Sequence, residues 1–353
     1  MKKISICLIL SFLFCLSNYP VSAKVLVSTG GTSDGDLVTS TKGPKGVKKL
    51  ALTSAKGGSI ATATARSIFT KTKITHGNKV VSAGTAGDEE LTHVNANSSF
   101  AGIATFISDD GNPVNNFTID LGLSGTLKCK TPDPEVPPFF SLAQMSTDVI
   151  VDGALSFTGT ATQDGAGPFS ASGNISTGDF TTGSNTASLH KTFLINLGTL
   201  TDGQKLAFFF AGSTLVSYGA DVPITYCSAD FFNTDTFQAS KKQGGKLTIA
   251  AGKTVTVEFI DDETLIIESS DTSLLSDIAT LRVIIATGGG VFEASAGALD
   301  DVNDNGVSDV VVTATNQLSM ISALQSSSNN TVFVFGQTSA GDVFSGTADL
   351  SAI

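Results

Sequence analysis

Short apolar stretches recur along the chain, and clusters of Gly, Asn and Asp residues separate them. The clearest alternation of apolar and polar positions is at residues 254–259, where every second residue is Val or Phe. A period of two places these side chains on one face of a strand. Residues 261–264 form a polar turn before a second apolar stretch at 265–268, which predicts a β-hairpin. Three consecutive Phe residues at 208–210 predict a strand that is buried on both faces.

The same pattern predicts most of the other elements. Further strands are expected at 24–28, 47–53, 59–73, 100–107, 117–123, 154–162, 281–286, 310–313, 331–335 and 342–350, and short helices only at 274–280 and 317–324. We therefore expect an all-β fold of the antiparallel β-sandwich or jelly-roll type, in one or two β domains. A β-solenoid is the alternative. It requires a fixed repeat, and the Phe-x-Gly-x-Ala pattern at Phe100, Phe157 and Phe344 is unequally spaced.

The first 23 residues have the pattern of a secretory signal peptide. Two lysines precede an apolar run at 4–17, and the small residues of Val21-Ser22-Ala23 predict cleavage before Lys24. A membrane anchor is the alternative reading of this run. No later segment has eighteen consecutive apolar residues, so we expect no transmembrane segment after cleavage. The expected location is extracellular or at the cell surface.

A proline-rich segment suggests how the remaining chain is organised. Four prolines lie between residues 132 and 138, and proline is excluded from central strands because it lacks the backbone donor. We expect 131–138 to be a linker or a long crossing loop. It would separate an N-terminal β region at 24–130 from a C-terminal β domain at 139–353.

Charge is unevenly distributed along the chain. The whole sequence carries −11, but residues 24–80 contain ten Lys and Arg against two Asp, which gives +8. A basic leading segment on an acidic body is compatible with head-to-tail self-association or with binding to an acidic surface polymer or protein. The favoured interpretation is that the lysines are simply solvated, or prevent association at strand edges. Nucleic acid is not an expected partner, because the body repels phosphate and lacks interleaved aromatic and basic residues.

Two cysteines remain once the signal peptide is removed. Cys129 and Cys227 form an even pair in an oxidising compartment, which predicts a disulfide. Two buried free thiols are the alternative.

One motif carries recognisable chemistry. Residues 301–309 have the form D-x-N-x-N-G-x-x-D, in which Asp301, Asn303, Asn305 and Asp309 offer side-chain oxygens and Val307 offers its backbone carbonyl. Calcium prefers six to eight oxygen ligands, and a glycine at position six permits the sharp turn of such loops. We expect a structural Ca2+ site here. An Asx-rich turn that binds nothing is the alternative.

This motif resembles the EF-hand-like calcium loops of dockerins, thrombospondin type 3 repeats and, most closely, FG-GAP repeats. The resemblance covers some twelve residues and implies a loop that leads into an apolar strand. It does not extend to position twelve, where Val312 replaces the glutamate of an EF-hand.

Candidate catalytic motifs are weak. Gly31-Thr32-Ser33-Asp34-Gly35 matches the pattern of serine hydrolases, but no helix is predicted after it. The glycines at 288–290 lack the spacing of a phosphate loop, and the carboxylates at 261–263 lie in a predicted turn. His76, His93 and His190 have no neighbours at ligand spacing and are expected on the surface or in turns.

Absent tryptophan, low charge and abundant Gly, Ser and Thr favour a non-enzymatic structural or cell-surface protein, such as a filament, matrix or adhesin subunit. Assembly by β-strand addition through residues 24–28 is a further expectation. A calcium-dependent polysaccharide- or protein-binding module is the alternative, and a secreted hydrolase is the third hypothesis.

Overall fold

The computed structural model describes residues 23–30, 36–40, 47–56, 59–70, 72–84, 93–130, 141–165, 167–218, 225–239, 243–261, 263–285, 289–326 and 331–350. The first strands are β1 (Ala23–Gly30), β2 (Asp36–Ser40), β3 (Val47–Lys56), β4 (Ser59–Phe69), β5 (Lys73–Gly84), β6 (His93–Ser108) and β7 (Thr118–Lys130). They are followed by β8 (Ser141–Val151), β9 (Ala154–Asp164), β10 (Ser170–Gly173), β11 (Phe180–Gly183), β12 (Thr186–Asn196), β13 (Lys205–Tyr218), β14 (Thr225–Ala239) and β15 (Gly245–Ala251).

The last part of the chain contains shorter strands and two helices. The strands are β16 (Lys253–Thr254), β17 (Thr256–Phe259), β18 (Leu265–Glu268), β19 (Ile278–Ile285), β20 (Gly290–Asp300), β21 (Asp309–Ala314), β22 (Thr331–Thr338) and β23 (Val343–Asp349). The helices are α1 (Thr272–Leu275) and α2 (Gln317–Ser326), and a single 3-10 turn spans Thr177–Asp179. None of the described helices is long and apolar enough to cross a membrane.

Two sheets face each other and form a sandwich. The first has the order β10-β9-β8-β13-β6-β1-β2. Strand β15 also pairs with β6, along the part of β6 that lies beyond its pairing with β1. The second has the order β11-β12-β7-β14-β5-β4-β3. Rings from the two sheets meet in the space between them: Phe157 of β9 contacts Phe193 of β12, with centroids 5.2 Å apart. The all-β prediction is thus confirmed, with two antiparallel sheets enclosing one core.

The third sheet nearly closes into a barrel. Its order is β16-β23-β22-β19-β20-β21-β18-β17, so its two ends, β16 and β17, are neighbours in the chain. The intervening Val255 donates its backbone N–H to the carbonyl of Ser345 in β23 at 3.0 Å. Among the described strands, only the β16–β23 pair is parallel. The barrel encloses its own core, into which Leu275 of α1 and Leu324 of α2 project.

The predicted elements of the barrel mostly agree with the structure. Strands β17 and β18 pair as the expected antiparallel hairpin, and α2 covers the segment predicted at 317–324. The helix predicted at 274–280 is shorter and earlier, at Thr272–Leu275, because Ile278 already pairs with Thr338 in the β19–β22 ladder. The β-solenoid alternative is wrong, because the described strands pair almost entirely in antiparallel ladders.

The two cores divide the chain near residue 252. Residues 131–138 lie outside the described residues, but strands on both sides of them pair with each other: β6 with β13, and β7 with β12 and β14. The sandwich therefore extends from β1 to β15, well beyond the proposed boundary at 131–138. The division between the cores depends on long-range strand pairing, which proline content does not reveal.

The barrel packs against the outer face of the first sheet. Phe209 of β13 contacts Phe335 and Phe333 of β22, with centroids 5.4 and 6.2 Å apart. At one end of this junction the Nε of Arg282 donates to the carbonyl of Gly153 at 2.9 Å. Apolar side chains of both units share a third buried cluster here. The junction is therefore an apolar contact with polar bonds at its margin.

Candidate metal centre

The predicted calcium loop connects β20 to β21 on the outer face of the barrel. Val310 and Val312 of β21 point into the barrel core, so Asp309 faces the other way. The loop then folds over Asp309, which is 0% exposed. Strand pairing places Asp309 opposite Asp300 of β20 on one side and Glu268 of β18 on the other.

Side-chain oxygens organise the turn of the loop. The two carboxylate oxygens of Asp301 accept the backbone N–H groups of Asn305 and Gly306, both at 2.9 Å. The Oδ1 of Asn305 accepts the N–H of Val307 at 2.8 Å. Gly306 has φ +81°, which a residue with a Cβ adopts only with strain. The predicted ligands at positions one and five are thus brought into one tight turn, which the glycine at position six permits.

Asp309 is the buried carboxylate of the loop. Its Oδ2 accepts the N–H of Val302 at 2.9 Å and that of Asn303 at 3.4 Å. Its Oδ1 is buried and accepts no hydrogen bond from an N–H or hydroxyl group of the described residues. Burial raises the pKa of Asp309, and the two backbone N–H bonds oppose this effect. The negative charge of Glu268 and a side-chain hydrogen bond between the two carboxyl groups raise the pKa further. A bound cation would supply the partner that this oxygen lacks.

Glu268 was not identified from the sequence. Its Oε1 accepts the Nδ2 of Asn303 at 2.7 Å and also the Nδ2 of Asn305. Loop positions three and five therefore converge on a carboxylate from a neighbouring strand. The only sequence signal was that Glu268 ends the second strand of the predicted hairpin; its approach to the loop follows from the β18–β21 register.

The oxygens present fit a hard cation. Carboxylates, amide oxygens and a backbone carbonyl are the ligands that Ca2+ prefers. Within the described ranges, no three His, Cys, Asp or Glu side chains are grouped closely enough to form a metal centre of their own. A cation at this loop would take the amide oxygens of Asn303 and Asn305 and the carbonyl of Val307 beside the carboxylates. Val312 is a core residue and cannot take part.

The predicted disulfide is present. Cys129 of β7 and Cys227 of β14 are direct cross-strand partners, and their side chains are bonded. Both residues are 0% exposed and belong to the sandwich core. The free-thiol alternative is wrong. The bond joins two adjacent central strands of the second sheet that are 98 residues apart in sequence.

His76 is not a surface residue, contrary to expectation. It is 0% exposed, its ring stacks on Phe210 at 4.2 Å, and its Nδ1 lies 3.2 Å from the Oγ of Ser98. Burial lowers its pKa to about 3. The prediction was wrong because position 76 of β5 shares the inward face with Ile74 and Val80. His190 is exposed on β12, and the side chain of His93 lies outside the described residues.

Asp261, one of the weak catalytic candidates, lies in a turn. Asp261 accepts the N–H groups of Glu263 and Thr264 at 2.8 and 2.7 Å, which is the hydrogen bonding of a turn. The serine motif at 31–35 and Gly288 of the glycine run lie outside the described residues. No family model matches the chain, and no match is found among curated proteins or solved structures.

Proposed function

We propose that this chain is an exported, non-enzymatic structural or cell-surface protein whose barrel is stabilised by calcium. The observation that carries the calcium part is the buried Asp309, whose Oδ1 accepts no hydrogen bond from an N–H or hydroxyl group of the described residues. Removing a carboxylate from water without a partner is costly, and a cation offsets that cost. Residues that would hold the ion are Asp301, Asn303, Asn305, Val307 through its carbonyl, and Asp309.

The charge of the barrel supports the same proposal. Residues 253–350 contain fourteen Asp and Glu but only Lys253 and Arg282 as basic residues, a net charge of −12. Both basic side chains form ion pairs: Lys253 with Asp271 and Asp342, and Arg282 with Glu293. Mutual repulsion of the remaining carboxylates destabilises a compact acidic unit. A divalent cation at the loop reduces that repulsion.

The buried disulfide supports the export part of the proposal. Stable disulfides are typical of oxidising compartments and rare in the cytosol. The signal-type pattern of residues 1–23 is consistent with this compartment. Together they indicate a protein that meets extracellular calcium, for which loops of this kind have dissociation constants on the order of 0.1–1 mM.

Self-association is part of the proposal, with a specific requirement. Strand β1 contains residues 24–28 and pairs with β6 and β2 of its own chain. Addition of this segment to another copy therefore requires exchange of β1 between chains, as in domain swapping. Deleting residues 24–40 should abolish assembly as observed by electron microscopy. Unchanged polymers would reject this route.

Thermal unfolding of the purified chain tests the calcium proposal. At 10 mM Ca2+ and a dissociation constant near 0.1 mM, binding should stabilise the protein by about 2.7 kcal/mol relative to chelator. Asp301→Asn should lose most of this gain. Asp304→Asn is the matched control, because it removes the same charge from the same loop at a position that offers no ligand. An unfolding midpoint that is the same in calcium and in chelator would reject the proposal.

A binding module is the second candidate, favoured by exposed apolar side chains at the loop. Leu299, Val302 and Val307 are 38%, 38% and 36% exposed. Calcium would then order a recognition surface for a protein or polysaccharide. Glycan and protein arrays with and without calcium test this. Val307→Ser, which keeps the backbone carbonyl, should weaken partner binding while leaving calcium affinity unchanged.

A further inference from the structure

Three acidic residues occupy neighbouring positions on three adjacent barrel strands. Asp309 of β21 is paired with Glu268 of β18 and with Asp300 of β20. Directly opposite residues share a sheet face, and like charges in such positions destabilise the pair. The arrangement is therefore unfavourable unless something positive lies among the carboxylates. Arg282 and Lys253, the two basic residues of the barrel, are engaged in the ion pairs described above.

The central member of this row is also the buried one. Asp309 is 0% exposed, and its Oδ1 accepts no hydrogen bond from an N–H or hydroxyl group of the described residues. The backbone N–H groups of Val302 and Asn303 satisfy only its other oxygen. The carboxyl groups of Asp309 and Glu268 lie within hydrogen-bonding distance of each other.

The amides of the loop converge on the same place. Asn303 and Asn305 both direct their side-chain ends to one oxygen of Glu268. Their Oδ1 atoms accept the backbone N–H groups of Asn305 and Val307. An amide oxygen has two lone pairs, so each keeps one for a cation that Glu268 also contacts.

We propose that Glu268 is a direct ligand of the loop's Ca2+ and supplies the carboxylate that position twelve lacks. This inference rests on the proposed function. The ion would then be held by the β20–β21 loop and the end of β18 together, so that binding ties three consecutive strands of the barrel. Affinity of such sites depends on the number of charged ligands. Glu268 therefore determines how tightly this site binds, although it lies 33 residues before Asp301.

Calorimetric titration of the purified chain with Ca2+ tests the proposal. Glu268→Gln keeps an oxygen that accepts the two asparagine amides and removes only the charged ligand. It should weaken Ca2+ binding about tenfold or more. Glu258→Gln is the matched control, since Glu258 is an exposed glutamate on the adjacent strand β17. The Ca2+ affinity of Glu258→Gln should stay within about twofold of that of the parent chain.

Stability in chelator separates a ligand from a merely structural residue. Without calcium, Glu268→Gln relieves repulsion with Asp309 and should unfold at the same temperature as the parent chain or higher. A lower midpoint in chelator would show that the Glu268 charge acts in the fold, and would overturn the proposal. So would an unchanged Ca2+ affinity in Glu268→Gln when Asp301→Asn has lost binding, a result that leaves the proposed calcium function intact. Absence of any Ca2+ binding by the parent chain would reject both.

Discussion

Removal of the disulfide should be the most damaging single chemical change to the sandwich. Cys129 and Cys227 lie opposite each other on β7 and β14, the two central strands of the second sheet. They are 98 residues apart in sequence. The bond therefore restricts a large part of the unfolded chain, including all strands from β8 to β13. Breaking the bond increases the conformational entropy of the unfolded state and so lowers stability.

The magnitude follows from the length of the closed loop. In the chain-entropy treatment, a loop of this size contributes about 4.7 kcal/mol to the free energy of unfolding. Domains of this kind are typically stable by roughly 5–15 kcal/mol. Loss of the bond is therefore expected to remove a third or more of the stability of the sandwich.

Guanidinium unfolding followed by circular dichroism measures this difference; tryptophan fluorescence is excluded because the chain has no Trp. Reduced parent chain retains both sulfur atoms, so its comparison with oxidised chain isolates the cross-link. The double variant Cys129→Ala/Cys227→Ala should have the same free energy of unfolding as the reduced chain, apart from the cost of losing two buried sulfur atoms. A difference below about 1 kcal/mol between oxidised and reduced chain would refute the entropic argument. Because both cysteines are 0% exposed, reduction by phosphine should also be slow without denaturant.

Three other changes have defined outcomes. Phe209→Ala should cost about 3–5 kcal/mol in calorimetry and let the barrel melt apart from the sandwich, because the Phe209 ring packs on Phe335 at 5.4 Å. His76→Phe should make unfolding less sensitive to acid. Burial lowers the pKa of His76 to about 3, so between pH 6.5 and 3 only the unfolded state binds a proton at this residue. This difference should lower the free energy of unfolding of the parent chain by roughly 3 kcal/mol at pH 4. In the parent chain, burial raises the pKa of Asp148 to about 6, so stability is lost as pH rises through that value. Asp148→Asn removes this loss, so its stability relative to the parent chain should be higher at pH 7 than at pH 4, by a similar amount.

Each of these outcomes has a control or a contradicting result. Leu318→Ala should change stability by less than about 0.5 kcal/mol, since Leu318 is 83% exposed on α2. Asn at position 148 retains an oxygen that accepts the Thr158 hydroxyl, which now donates to Asp148 at 2.7 Å. Parallel pH–stability curves for the parent chain and the His76 or Asp148 variant would contradict the assigned protonation effects. A single sharp transition of unchanged midpoint in Phe209→Ala would contradict the role of the junction.

Local pattern was sufficient for the secondary structure and for part of the site. Alternation at 254–259 predicted β17, and the polar turn after it predicted its pairing with β18. Period-two burial depends only on residues i and i+2, so it is visible in the sequence. The loop at 301–309 was found for the same reason, because its oxygen-bearing residues are close in sequence. Counting two cysteines outside the signal peptide left one pairing to consider.

What the sequence by itself determined is therefore the all-β class, the helix predicted at 317–324, the disulfide partners and the turn that offers oxygen ligands. Tertiary structure alone decided the closure of the barrel, in which Lys253 pairs with Phe344, and the contact of Glu268 with the loop. It also decided the burial of His76, whose position on β5 becomes interior only when the first sheet covers it. The physical reason is the same in each case: strand order and register are set by contacts between residues distant in sequence, and period-two alternation does not encode which strands become neighbours.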